Sequence, residues 1–167
     1  MKKIAIAALL SAFATAPAFA ADDKNSVGVN FGTDLNGVFG IQGEFDISSM
    51  TNNQPISVQV FWKKSSQTFY GVSADTTALG VAGIYDFNAL AKLDKKIHPY
   101  AGAGLKHVTD TAVSPAIPPF IPSMSIKTTS TDVYVTGGVR YYLTPQFDAD
   151  LSYNNFGGLT IGANFDF

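Results

Sequence analysis

Leu159-Thr160-Ile161-Gly162-Ala163-Asn164-Phe165-Asp166-Phe167 closes the chain, and its reading decides the fold. Leu159, Ile161, Ala163, Phe165 and Phe167 share one face of a two-residue period, and Thr160, Gly162, Asn164 and Asp166 share the other. The closing strand of a transmembrane barrel needs this pattern. Its apolar side chains meet acyl chains, its polar ones meet the lumen, and an aromatic ring sits where lipid gives way to water. The alternative is a periplasmic β-sandwich or a lipocalin-like barrel with its apolar face turned inward.

The start of the chain points to the same address. Lys2 and Lys3 precede an apolar run from Ile4 to Phe13, and Ala18-Phe19-Ala20 has the form of a signal-peptidase site. The prediction is a secretory signal peptide over residues 1–20 and a barrel domain over 21–167, localised in the cell outer membrane. Ser11, Thr15 and Pro17 break the apolar run well short of the roughly 20 residues a spanning helix needs. No later segment qualifies either, and lipid tolerates only helices and closed barrels.

Composition narrows the function. Loss of Lys2 and Lys3 with the signal peptide leaves 9 basic against 13 acidic residues, a net charge of −4, which argues against a nucleic-acid partner. With no cysteine, the chain has neither a disulfide framework nor thiolate metal ligands, so strand pairing must hold the fold. Nothing in the sequence implies a cofactor, and Asp148 and Asp150 with Asp46 or Asp166 read more simply as an acidic lumen mouth than as a cation site.

A two-residue ruler yields eight strands. The first runs from Ser26 to Thr33 with Val27, Val29 and Phe31 outward, and Asp34 to Gly37 forms a turn. In Val38 to Ile47, Phe39, Ile41, Gly43, Phe45 and Ile47 face lipid while Gln42, Glu44 and Asp46 face in, beside Asn30. Ile56, Val58, Val60 and Trp62 mark the third outer face, and Leu79, Val81, Gly83, Tyr85 and Phe87 the fourth; Thr68 to Thr77 reads as a protruding continuation. The fifth strand, Tyr100 to Val108, is ambiguous because Tyr100 and Lys106 share a face; Lys106 inward is preferred. The sixth sets Val133, Val135, Gly137, Val139, Tyr141 and Leu143 against Asp132, Tyr134, Thr136, Gly138, Arg140 and Tyr142. The seventh sets Phe147, Ala149, Leu151 and Tyr153 against Asp148, Asp150, Ser152 and Asn154. Ten strands result if Ser123 to Thr131 pairs separately.

With both termini in the periplasm, the outward aromatics sort into two rims. Phe45, Tyr85, Phe87, Tyr141, Phe147, Phe165 and Phe167 fall at the periplasmic side, and Phe31, Phe39, Trp62 and Tyr153 at the outer side. Ser48 to Pro55, Asn88 to His98 and Thr144 to Gln146 are then periplasmic turns, the second with a short helical turn at Ala89 to Lys96. The longest connection, Thr109 to Ser130, is an external loop. Pro115, Ile117, Pro118, Pro119, Phe120, Ile121 and Pro122 make its middle stiff and apolar, a candidate interaction loop or one that folds onto the barrel rim.

Eight strands enclose a space that side chains just fill, which disfavours an open pore. Glu44, Lys106, Arg140, Asp148 and Asp150 are predicted to form a polar lumen network with Arg140, the only arginine, as hub.

The signal peptide, the strand count, the Pro99-Tyr100-Ala101-Gly102-Ala103-Gly104-Leu105 strand opening and the Asn164-Phe165-Asp166-Phe167 ending resemble the small eight-stranded outer-membrane barrels. OmpX, the membrane domain of OmpA and the opacity-type, porin-like barrels belong to this group, and the likeness spans the whole mature chain. The resemblance implies an antiparallel up-and-down barrel in outer-membrane lipid and lipopolysaccharide. It also implies that the barrel assembly machinery reads the last strand, a role carried onto Leu159, Ile161, Ala163, Phe165 and Phe167. It does not imply an activity.

Three functions follow, in this order: a barrel serving envelope structure or surface interaction through its loops, a narrow porin-like channel, and a lipid A-modifying enzyme. The last has little to build on. His98 and His107 are the only histidines, with Asp110 and Ser65, Ser66 or Ser73 as conceivable partners. Tyr153-Asn154-Asn155-Phe156-Gly157 lacks the His and Ser of the deacylase segment it superficially resembles. The prediction is no enzyme.

Overall fold

The computed structural model describes residues 25–33, 37–91, 93–116 and 123–167. Eight antiparallel strands close on themselves in chain order, β1 pairing with β8. They are β1 Ser26–Gly32, β2 Val38–Asp46, β3 Ile56–Phe69, β4 Val72–Asp86, β5 Ile97–Ser114, β6 Met124–Thr144, β7 Phe147–Asn154 and β8 Gly158–Asp166. Among the described residues one short helix, α1 (Asn88–Ala91), and a 3-10 turn at Ser48–Met50 sit at the end that also carries Asn25 and Phe167, here the terminal end. The predicted signal peptide and the Asp34-Leu35-Asn36 turn lie outside the described residues.

Alternation alone places the side chains. Along β8, Leu159 and Ile161 are exposed on the outside while Thr160, Asn164 and Asp166 are buried inside. The same holds on β7 for Leu151 and Tyr153 against Asp148, Asp150, Ser152 and Asn154. A barrel that buries carboxylates and exposes leucines is inverted relative to a soluble one, which excludes the sandwich and lipocalin-like readings. The outward rings cluster as the strand count requires. Phe31 and Phe39 pair across β1 and β2, centroids 5.4 Å apart, and Phe39 meets Trp62 at 6.4 Å. At the terminal end Tyr85 packs on Phe87 at 4.9 Å and Phe147 on Phe165 at 5.0 Å.

On β5 both Tyr100 and Lys106 turn inward. Lysine in lipid would cost more than tyrosine inside, because the phenol finds a buried carboxylate to bond.

One expectation is corrected. Thr109 to Ser130 is not a loop for most of its length: β5 continues to Ser114, β6 begins at Met124, and the two pair from Ser114↔Met124 downward. Thr, Ser and Lys occupy both faces here, so no hydrophobic alternation marks the strands, yet β-branched threonines favour them. The ten-strand alternative falls with it, since Ser125 to Thr131 are the upper part of β6. Of the proposed interaction loop, Pro115 follows β5, and Ile117, Pro118, Pro119, Phe120, Ile121 and Pro122 lie outside the described residues. Thr68 to Thr77 does continue β3 and β4, closed by a two-residue turn at Tyr70 (φ 47°) and Gly71 (φ 80°). Positive φ at both positions suits the right-handed twist of a hairpin.

Candidate functional site

Inside the barrel, at the terminal half, Arg140 of β6 reaches across to Glu44 of β2. Its Nη1 donates to Glu44 Oε1 at 3.0 Å and its Nη2 to Oε2 at 2.5 Å. In an eight-stranded barrel β2 and β6 are opposite staves, so this forked pair is a strut across the lumen. Asp150, beside Arg140 in the β6–β7 register, lies 3.7 Å from Nε and accepts the Tyr100 hydroxyl at 2.7 Å. The guanidinium stacks on the Tyr100 ring, 4.5 Å from its centroid. Ser57 adds a bond to Glu44 Oε1.

Asp148 belongs to a separate belt. Asn164 Nδ2 donates to its Oδ1 at 2.7 Å, Gln42 donates to Asn164 Oδ1 at 3.1 Å, and Asn30 donates to Gln42 at 2.9 Å. This chain of amides joins β7, β8, β2 and β1. Lys106 stands apart from both groups, toward the hairpin end, where its Nζ donates to the Asn155 carbonyl at 2.8 Å and faces the Phe156 ring. The structure therefore brings Glu44, Arg140 and Asp150 together, with Asp148 and Lys106 elsewhere in the lumen.

Above the strut, aromatic rings pack inside the lumen. Phe61 and Tyr134 pack at 4.2 Å, and with Ala82, Ile84 and Tyr100 they form the apolar core cluster. Lys63, 2% exposed, donates to the Tyr134 hydroxyl at 3.1 Å and lies over both rings. Sequence reading missed Phe61, Lys63 and Tyr134 as a layer. The signal was available, since the β3 face opposite Val60 and Trp62 must point inward, but no local pattern says that β3 and β6 meet.

Among the described residues the two histidines bond to groups other than the Asp110 and serines weighed as their partners. His107 points outward, its Nδ1 3.1 Å from Thr131 Oγ1, while Asp110, three positions on, takes the opposite face and accepts from Thr76. Ser65 donates to the Gly37 carbonyl. His98 sits at the terminal end between Asp86 and the Lys95 carbonyl. Among the described residues no group of three or more His, Cys, Asp or Glu is placed to hold a metal ion.

The hairpin end carries a second feature. The Trp62, Leu79, His107 and Thr131 positions form one row across β3 to β6, and above it these four strands continue as a sheet standing clear of the barrel. β7 pairs with β6 only from Thr136 downward. Asn155 extends that pairing slightly: its N–H donates to the Val135 carbonyl at 3.2 Å, its Oδ1 accepts the Val135 N–H at 3.1 Å, and its Nδ2 donates to the Val133 carbonyl at 2.8 Å. Since Val135 directs its backbone groups to the β7 side, so do Thr131, Thr129, Lys127 and Ser125, and no strand of the barrel meets them. This edge is flanked on the sheet's inner face by exposed Met124 and Ile126.

The family model of the outer membrane protein beta-barrel domain matches residues 5–166. Among solved structures the chain is similar to the N-terminal β-barrel domain of Pseudomonas aeruginosa OprF, at 15% identity and a TM-score of 0.58 over 86% of this chain and 97% of that one. Neisserial surface protein A gives 18% and 0.59 over 87% and 96%. Ail, the attachment invasion locus protein of Yersinia pestis, gives 13% and 0.55 over 87% and 97%. At such identities the likeness is one of fold. No curated protein matches the chain.

Proposed function

This chain belongs to the outer membrane protein beta-barrel domain family, and from that premise we propose that it serves surface interaction, binding an extended partner segment along the open edge of β6. The backbone of Ser125, Lys127, Thr129 and Thr131, which among the described residues meets no strand on its β7 side, carries this reading. A row of free N–H and C=O groups at a sheet edge is a template for one more strand, and Met124 and Ile126 offer apolar contact to alternate partner residues. The long β3–β4 and β5–β6 hairpins rise at the end opposite the termini, which supports an orientation with the termini in the periplasm and the edge outside the cell.

The filled interior supports a barrel that passes no solute. The strut, the amide belt and the Phe61–Lys63–Tyr134 layer occupy the lumen at successive levels, and they are the support for this reading. The scattered histidines support a non-enzymatic role. Export by residues 1–20, recognition of Leu159 to Phe167 by the assembly machinery, and contact with outer-membrane lipid and lipopolysaccharide belong to the same proposal.

Thr129→Pro tests it. Thr129 directs its N–H to the open side, so proline there removes an edge donor without breaking the β5 ladder. The refolded variant is expected to keep its folded gel mobility and to lose at least tenfold in binding to immobilised matrix glycoproteins and whole host cells. Binding equal to the parent's, or none by the parent, refutes the edge as the binding element. Planar-bilayer recordings showing steady conductance from the parent would move the function to the channel.

A further inference from the structure

Asp94-Lys95-Lys96, between α1 and β5, is a turn held from three sides and used by neither the lumen nor the raised sheet. Asp94 Oδ1 accepts the Lys96 N–H at 2.9 Å, and the Lys96 carbonyl accepts the Tyr142 N–H at 2.9 Å. The Lys95 carbonyl lies 3.0 Å from His98 Nε2, while His98 Nδ1 is 2.6 Å from Asp86 Oδ2. The His98 ring packs edge-on against Tyr142, centroids 4.7 Å apart. Asp86 spends its other oxygen on the Asn88 N–H at 2.7 Å. Both acids of this connection thus face backbone or imidazole. The lysine side chains are exposed, and among the described residues neither forms an ion pair.

Beside them is a recess of about 380 Å³ between this turn and the β6–β7 turn, bordered by Leu143 and Pro145. Leu143 is 64% exposed, and Leu90 and Leu93 of the same connection are exposed too. The recess lies near the rim where Tyr141, Phe147, Phe165 and Phe167 face outward. Free leucines against acyl chains, with two ammonium groups on a fixed backbone just beyond them, match an amphiphile whose headgroup is anionic.

We propose that this recess seats the phosphate of an anionic phospholipid from the inner leaflet, with Lys95 and Lys96 on the headgroup and Leu143 on an acyl chain. The leaflet rests on the orientation argued above, with the termini in the periplasm. The site would hold the barrel's terminal rim at a set depth.

The mature chain, reconstituted in discs of mixed phosphatidylglycerol and phosphatidylcholine, provides the test, with retained lipids counted by native mass spectrometry. Phosphatidylglycerol is expected to be retained over phosphatidylcholine, and about fivefold more weakly for each of Lys95→Gln and Lys96→Gln. Lys95→Arg with Lys96→Arg should retain it, and Lys127→Gln, at the hairpin end, should leave it unchanged. Retention in the double glutamine variant equal to the parent's, equal retention of both lipids, or an equal loss in Lys127→Gln overturns the site. Displacement of the lipid by soluble muropeptides overturns it in favour of cell-wall carboxylates. Trypsin added to intact cells separates the orientation from the site: cleavage after Lys95 or Lys96 refutes the leaflet even where the lipid counts hold.

Discussion

Arg140→Ala removes the strut, and its cost can be worked from the geometry. Arg140 and Glu44 have side chains 10% and 8% exposed, and the fork spans the lumen with two charge-assisted bonds. Truncating one partner of a buried pair costs about 3–5 kcal/mol, because the other charge stays desolvated and alone. Here two carboxylates are stranded, Glu44 and the Asp150 group 3.7 Å from Nε, and the stacking on Tyr100 is lost as well. The expected loss is therefore near the upper end, about 5 kcal/mol. Glu44→Gln with Arg140→Met removes both charges of the fork and fills similar volume, and Asp150 keeps the Tyr100 hydroxyl as a donor, so the double variant should fall within about 2 kcal/mol of the parent. Trp62, the single tryptophan, faces outward at the hairpin-end rim and reports unfolding by fluorescence during urea titration in lipid vesicles. A loss below about 1 kcal/mol for Arg140→Ala, or a double variant as unstable as the two single changes added, would refute the strut as a stabilising element.

Further outcomes follow from the interior and the last strand. Lys63 is buried with no carboxylate within 4.0 Å among the described residues, so Lys63→Met should leave stability unchanged or raise it by about 1 kcal/mol in the same titration; a fall beyond about 2 kcal/mol would make the ammonium a true anchor. A Cβ on Gly104 would strike the Val81 carbonyl oxygen and the Ala82 backbone, so Gly104→Ala should cost about 3 kcal/mol, whereas Gly83 faces open space and Gly83→Ala should be neutral or slightly stabilising. Deleting Phe167, whose N–H bonds the Asn25 carbonyl at 2.8 Å, should sharply lower outer-membrane levels in cells while the purified chain still refolds in detergent; equal loss in both settings would assign the residue to stability instead of assembly.

Legibility tracked the reach of the interaction. Facing was readable strand by strand, because a two-residue period is a property of the local chain. Val133 to Leu143 and Phe147 to Asn154 show it without any neighbour. Lys106 needed one added argument, the cost of an ammonium in lipid. The upper halves of β5 and β6 escaped, because a sheet standing in water has no lipid on either side and Thr, Ser and Lys serve both its faces equally. Glu44, Arg140 and Asp150 were each readable as inward, but their meeting, and the separation of Lys106 from them, were not.

The sequence by itself determined that the barrel is inverted, where its rims lie and which residues fill it, since alternation and aromatic placement answer to the solvent on each face. Only the tertiary structure decided that β2 faces β6 across the lumen, that Phe61 and Tyr134 meet within it, and that β6 outruns β7 to leave an open edge. Those facts depend on the stagger summed around eight paired strands, and no single strand carries that sum.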